Sequence, residues 1–189
     1  MAIYHFSASV ISRGKGQRSI ASAAYRSASI MYDRKHGKFE NYTKKSDVAY
    51  SRILTPEDAP NWLKEIALLS ESGKHALASE KLWNLVEFTE KRKDSQLARD
   101  IEISLPKELT LNQNVELIEK FSHLAFTSRG MVVDLNVHWK EGNPHIHFML
   151  STRCVEQHGF GQKAREWNDK ALFVSLRELW AETCNYALA

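Results

Sequence analysis

His138, His145 and His147 are the residues of this sequence whose type and spacing point most directly to chemistry. They fall in Asn136–Leu150, NVHWKEGNPHIHFML, close to Val133 and Leu135. With strand periodicity, Val133, Leu135 and Val137 alternate with Asp134, Asn136 and His138. In the second half, Ile146, Phe148 and Leu150 alternate with His145, His147 and Met149. Successive strand side chains point to opposite sides, so each half has one apolar face and one mainly polar face. Gly142, Asn143 and Pro144 between them are turn formers, and the connection is short enough for a hairpin. Closing that hairpin brings the three imidazoles together on the face away from the core. A single strand histidine is ordinarily a hydrogen-bonded polar residue, and H-x-H alone is often solvated surface. A third histidine across a tight hairpin, with no thiolate nearby, is the ligand set of an open divalent-cation site rather than a closed structural zinc.

Further elements must hold that site in place. Leu97–Leu105, LARDIEISL, alternates again: Ile101, Ile103 and Leu105 face the core, while Asp100, Glu102 and Ser104 face the other way. Beside the hairpin, this strand would place its carboxylates on the histidines' face, and Pro106 stops it. Residues 2–9 begin as a β-prone alternation with His5 opposite Tyr4 and Phe6. Next comes a loop in which Gly14 and Gly16 break structure and Arg13, Lys15 and Arg18 supply charge, a pattern able to hold phosphates. Ser19 reads as the N-cap of an alanine-rich helix over Ala21–Ile30. Tyr25 sits mid-helix among small residues, in ASAAYRSAS, where weak amphipathicity gives its ring no core role. Tyr32, seven residues on, lies near the same helical face and competes for any role given to Tyr25.

Residues 33–60 are polar and turn-rich and read as a surface insertion, followed by helices over Asn61–Ser70 and Lys74–Lys93. Asn112–Phe126 and Asn168–Ala189 carry helical repeats on either side of the hairpin. The order predicts an α+β sandwich, a central antiparallel β-sheet flanked by helices, with the site on the sheet's polar face. Residues 1–189 read as one domain, and the uncapped helical pattern at residue 189 suggests the N-terminal part of a longer protein.

Composition sets outer bounds. Hydrophobic content of 43% and charged content of 26% suit a soluble globular domain, and no apolar run approaches the length of a membrane span. The N-terminus shows no basic leader before an apolar core, and Cys154 and Cys184 read as reduced thiols of a cytoplasmic protein. The net charge of +3 is unevenly spread: residues 1–45 hold nine Lys/Arg against Asp33 and Glu40, a net +7, leaving −4 on the rest. A basic segment on a mildly acidic body suits a polyanion bound at one surface.

Taken together, AIYHF, GQRSIASAAYRSAS, ARDIEISLP and GNPHIHFML resemble the MobA/MobL-type conjugative relaxases of mobilisable plasmids, within the broader histidine–hydrophobic–histidine endonucleases. The resemblance spans nearly the whole chain in consistent order. It implies a bacterial cytoplasmic nickase, site- and strand-specific for single-stranded DNA at a plasmid origin of transfer. By analogy Tyr25 is the nucleophile and His138, His145 and His147 bind the metal. Asp100 matches a position where some relatives carry Glu, as a catalytic carboxylate or as an orienter of a ligand histidine, with Glu102 as auxiliary. Arg13, Lys15, Arg18 and Arg26 would track the DNA backbone, and Phe39, Trp139 and Trp167 are candidates to stack on bases.

The chemistry fits those residue types. A three-histidine cation with open positions suits phosphoryl transfer, and Mg²⁺ or Mn²⁺ is the expected metal, with Zn²⁺ able to occupy the site. A free tyrosine has a pKa of about 10, so attack at neutral pH needs a base, for which Asp100 or Glu102 would serve, or a nearby cation. In-line attack would leave a 5′-phosphotyrosyl strand and a free 3′-OH, and rejoining would need no ATP. Expected partners are origin DNA, auxiliary mobilisation proteins and a type IV secretion coupling protein. A cupin-type oxygenase is the rival enzyme, but the helices are too many and a jelly roll's regular glycine-rich strands are missing. A DNA-binding module without catalysis ranks low, because nothing essential to the chemistry is missing.

Overall fold

A computed structural model describes residues 5–189; the opening of the N-terminal alternation, residues 1–4, lies outside the described residues. Alternating apolar and polar residues build a central sheet from five strands: β1 (Phe6–Ser12), β4 (Val48–Leu54), β5 (Gln96–Ser104), β6 (Val133–His138) and β7 (His145–Leu150). Their spatial order is β1-β5-β7-β6-β4, and each neighbouring pair is antiparallel. Two short hairpins flank the sheet, β2 (Ile30–Asp33) with β3 (Lys38–Asn41), and β8 (Arg153–Glu156) with β9 (Gly159–Lys163). The helices are α1 (Ser19–Arg26), α2 (Asn61–Glu71), α3 (His75–Thr89), α4 (Leu111–Ala125) and α5 (Lys170–Leu188). The α+β sandwich expected from the order of elements is the architecture observed.

One sheet face is mainly apolar. Ile101, Ile103, Leu135, Val137, Ile146 and Phe148 are fully buried, in one cluster with Ile118 and Phe121 of α4 and Trp180 of α5. Phe121 meets Trp180 edge-on at 5.0 Å, an arrangement favoured by the ring quadrupoles. The opposite face, expected to be mainly polar, is apolar over part of its length. Ala98 and Met149 of that face belong to a second core, formed with Ile20 and Ala24 of α1, Leu63 of α2, and Leu82 and Trp83 of α3. Toward the hairpin turn this cover thins: His138 is buried, whereas His145 and His147 are partly exposed.

Asp134 shows how a polar strand face accepts a helix. Its carboxylate is fully buried and takes hydrogen bonds from Ser79 Oγ, Trp83 Nε1 (2.8 Å) and Asn136 Nδ2 (3.1 Å), with His75 Nε2 3.1 Å away. Burial opposes its ionisation, but the charge and hydrogen bond of His75 lead the effects that hold its pKa below the ordinary carboxylate value. Three hydrogen-bond donors from α3 and β6, with the His75 ring beside them, therefore replace the water that burial removes.

The stretch 33–60 is more than a surface insertion, because Val48–Leu54 enters the sheet as edge strand β4 beside β6. Only Ile53 and Leu54 of that strand are buried, so its sequence carries little alternation. Helix α1 also differs from expectation. Ser19 is its first residue rather than its cap, and the N–H and hydroxyl of Ser19 both donate to Glu87 Oε1 at 2.9 Å. A carboxylate at that end suits the helix dipole. The helix stops at Arg26 rather than Ile30: Ser27 Oγ donates back to the Ala23 carbonyl at 2.8 Å, and Ala28 takes a φ of 51°.

Glu87 is fully buried and also accepts from Arg13 Nη2 at 2.7 Å, so one carboxylate fixes both the Arg13 turn and the start of α1. Glu87→Gln leaves this buried pair uncompensated and is expected to cost about 3 kcal/mol. Urea unfolding of the two proteins measures that loss.

Candidate active site

Sheet register assembles the histidines. His138 of β6 lies directly across from His145 of β7, and His147 lies between Asn136 of β6 and Glu102 of β5. The three ring centroids stand 4.9 to 5.3 Å apart, and one nitrogen from each ring falls within 4.8 Å of the other two. The turn between the strands is closed by the Asn143 N–H to the Lys140 carbonyl (3.0 Å), with Gly142 at a φ of 77°.

Hydrogen bonding fixes two of these rings. Carbonyl oxygens only accept, so His138 Nε2 donates to the Arg26 carbonyl (2.7 Å) and His145 Nδ1 donates to the Asn143 carbonyl (2.9 Å). Each ring keeps a lone pair on its other nitrogen. His147 Nδ1 is buried with no hydrogen-bond partner. Burial pushes the His138 pKa down to about 4, with the His147 and Lys45 charges acting the same way and the Arg26 bond opposing them. A His138 whose protonation is disfavoured, two rings oriented by carbonyls and a buried orphan nitrogen on the third together fit a divalent cation.

Two carboxylates from β5 flank the cluster. Asp100 accepts Arg26 Nε at 2.9 Å and Arg26 Nη2 at 2.6 Å, a two-point pair with the last residue of α1. Its Oδ1 is 3.9 Å from His147 Nδ1, outside hydrogen-bonding distance, so Arg26 is the partner that holds it. Burial works against ionisation of Asp100, but the neighbouring His147 and Arg26 together keep its pKa below the ordinary value. Glu102 is more open and stands 3.8 Å from His147 Nε2 and 3.9 Å from His5 Nε2.

Tyr25 immediately precedes the residue whose carbonyl binds His138. Its side chain is half exposed and lies against the connector between β3 and β4. Tyr42 meets the ring edge-on at 5.3 Å, and Lys45 Nζ sits 3.6 Å from the ring centroid. Tyr32, the competing phenol, lies instead on β2, tilted against Phe39 at 4.9 Å.

Comparison with known proteins bears on this arrangement. The MobA/MobL family model matches residues 17–189. The chain belongs to that family. It is 44% identical over 163 residues to conjugal transfer protein TraA of Agrobacterium fabrum, covering 86% of this chain and 14% of the relative. It is 30% identical to mobilization protein MobL of Acidithiobacillus ferridurans, covering 100% of this chain and 55% of the relative. The chain thus spans only part of the curated relatives it matches. A solved structure described as "Molecular Basis of Vancomycin Resistance Transfer in Staphylococcus aureus" matches with a TM-score of 0.85 at 34% identity, covering 99% of this chain and 93% of that one.

Within this MobA/MobL fold, the basic residues singled out from the sequence divide. Arg13 is tied to Glu87 and to the Arg92 carbonyl, Arg18 to Glu40 and Asp33, and Arg26 to Asp100. Lys15 is exposed at the turn. Among the aromatics, Phe39 and Trp139 reach solvent while Trp167 is buried. Two neighbours of the site escaped the sequence reading. Asp47 places Oδ2 3.6 Å from His138 Nδ1, and Lys45 contacts Tyr25. Both lie in the connector before β4, which has no periodicity to single them out. Among the described residues, no helix is long and apolar enough to cross a membrane.

Because the folded state disfavours protonated His138, its stabilising share is full above the ordinary pKa of 6.5 and is lost as pH falls toward about 4. Metal-free protein in chelator is expected to lose on the order of 3 kcal/mol from this group over that window. His138→Gln should flatten the corresponding part of the pH dependence of urea unfolding.

Proposed function

We propose that this chain nicks and rejoins single-stranded DNA at an origin of transfer by tyrosine transesterification. The observation that carries the reading is the bond from His138 to the Arg26 carbonyl, which ties the helix bearing Tyr25 to the three-histidine cluster. The names of the relatives, conjugal transfer and mobilization proteins, support a role in conjugative DNA transfer.

In this reading the Tyr25 phenol loses its proton and its oxygen attacks the scissile phosphorus. A Tyr25 O–P bond forms and the P–O3′ bond breaks. The 3′ oxygen takes up a proton, which leaves a 5′-phosphotyrosyl strand and a free 3′-OH. Attack by a 3′-OH reverses the step without ATP, since one phosphodiester is exchanged for another. His138, His145 and His147 would hold a divalent cation, Mg²⁺ or Mn²⁺ by preference with Zn²⁺ able to enter, which offsets phosphate charge when bound.

The remaining residues act through position. Asp100 has both oxygens on Arg26, so it serves to hold the end of α1 against β5, beside His147. Glu102, half exposed beside His147, is the carboxylate available for proton transfer. Arg13, Arg18 and Arg26 are each held in ion pairs, which leaves exposed Lys15 to meet phosphates, with Phe39 and Trp139 as surfaces on which bases stack. We read the whole as the relaxase domain of a longer bacterial cytoplasmic protein, working with auxiliary mobilisation proteins and a type IV secretion coupling protein.

Single-stranded oligonucleotides tiling the replicon that encodes the chain, incubated with Mn²⁺, are expected to include one that is cut and becomes covalently attached. Tyr25→Phe should abolish both cleavage and attachment, while Tyr32→Phe retains them. An adduct that survives in Tyr25→Phe moves the nucleophile elsewhere.

A further inference from the structure

We infer that the connector between β3 and β4 is a clamp on the nucleophile, and that Lys45 is a positioning residue through which it favours the reactive form of Tyr25. The inference rests on Tyr25 being the nucleophile, as proposed above. Lys45 touches Tyr25 twice. Its ammonium lies 3.6 Å from the ring centroid and donates to the Tyr25 backbone carbonyl at 3.1 Å. Tyr42, three residues earlier, closes on the same ring edge-on at 5.3 Å with an interplanar angle of 88°. The ring is therefore held between a cation and an aromatic edge, while its other surfaces stay open enough for the side chain to be 48% exposed.

The connector is built to hold this shape. The Tyr42 N–H donates to the Ser29 carbonyl at 3.0 Å, which fastens the segment just beyond the end of α1. The Lys45 N–H donates to the Tyr42 carbonyl at 3.1 Å and closes the turn, and the Asn41 side chain accepts from the Thr43 N–H (3.1 Å) and hydroxyl (2.7 Å). Two residues further on, the Asp47 carbonyl accepts from the Trp139 N–H at 2.8 Å, immediately after His138. One short segment thus reaches from the proposed nucleophile to the histidine hairpin. Lys44 beside it is exposed, whereas Lys45 is half-buried against the ring.

The chemical consequence follows from where charge develops. A phenol that loses its proton gains negative charge on the oxygen and across the ring. A cation over the ring face already interacts with the neutral π-system and interacts more strongly with the ionised one. Lys45 thereby stabilises the attacking form without accepting the proton, and its bond to the Tyr25 carbonyl fixes where the side chain originates.

The test uses the tiled oligonucleotide that the wild-type chain cleaves, with Mn²⁺. Adduct formation is followed at saturating DNA in single turnover, and DNA affinity is followed separately by fluorescence anisotropy. Lys45→Met and Lys45→Gln are expected to slow adduct formation by about tenfold with unchanged affinity, the size that loss of a partly desolvated cation–π contact supports. Lys45→Arg, which keeps a cation on the ring, should restore most of the rate, and Lys44→Met should match the wild type. Unchanged rates in Lys45→Gln overturn the inference. So does weakened affinity with an unchanged saturated rate, which would make Lys45 a phosphate contact. If Lys45→Met does not fold, Lys45→Gln and Lys45→Arg decide the matter by the same comparison. An adduct persisting in Tyr25→Phe would instead remove the underlying assignment of the nucleophile, whatever the Lys45 variants do.

Discussion

Arg26 is gripped at both ends, and the site depends on that grip. Its carbonyl accepts from His138 on β6, while its guanidinium forms a two-point pair with Asp100 on β5. These strands lie on either side of β7, which carries the other two histidines. The last residue of α1 is therefore fixed across the strands that hold the cluster, and Tyr25 is fixed one residue before it. Charge-assisted two-point pairs have defined geometry as well as strength. The proposed nucleophile, were it carried on a free loop, would have to find that geometry at each turnover.

The two faces of the sheet are both core over much of their length, because α1, α2 and α3 cover what the alternation reads as a polar side. Buried Asp134 is matched to donors from α3, and Asn136 accepts from Ser51 Oγ at 2.7 Å. Toward the hairpin turn the cover ends, and His145 and His147 are only partly buried. Site and core share one face, and the position of α3 and α1 divides them. Glu87 belongs to this division, since its carboxylate positions the start of α1 from the far side of the helix pair.

Much of this was legible in the sequence where one physical rule governed. Strict alternation located β5, β6 and β7, and the Gly-Asn-Pro turn closed the hairpin that pairs His138 with His145. Helical spacing located α4 and α5 to within about two residues, the usual uncertainty of helix ends. Legibility failed where tertiary contacts outweighed local pattern. Strand β4 is an edge with two buried residues, and the β8–β9 hairpin is largely half-exposed, so neither carries a clear period. Charge counts failed in a different way. They marked Arg13, Arg18 and Arg26 as surface cations, but a count cannot see pairing: Arg18 meets Asp33 and Glu40 of its own segment, and Arg13 and Arg26 meet Glu87 and Asp100 more than seventy positions away. Lys45 and Asp47 were invisible for the same reason, since their meaning comes only from what the fold brings beside them.

The proposed chemistry requires three imidazoles sharing one cation next to the end of α1. Pulsed electron paramagnetic resonance of the chain loaded with Mn²⁺ tests this without any DNA. Nitrogen couplings from the imidazoles of His138, His145 and His147 are expected, with one set lost in His145→Ala. A spectrum of hydrated Mn²⁺ with no nitrogen couplings, or couplings indifferent to that substitution, would contradict it.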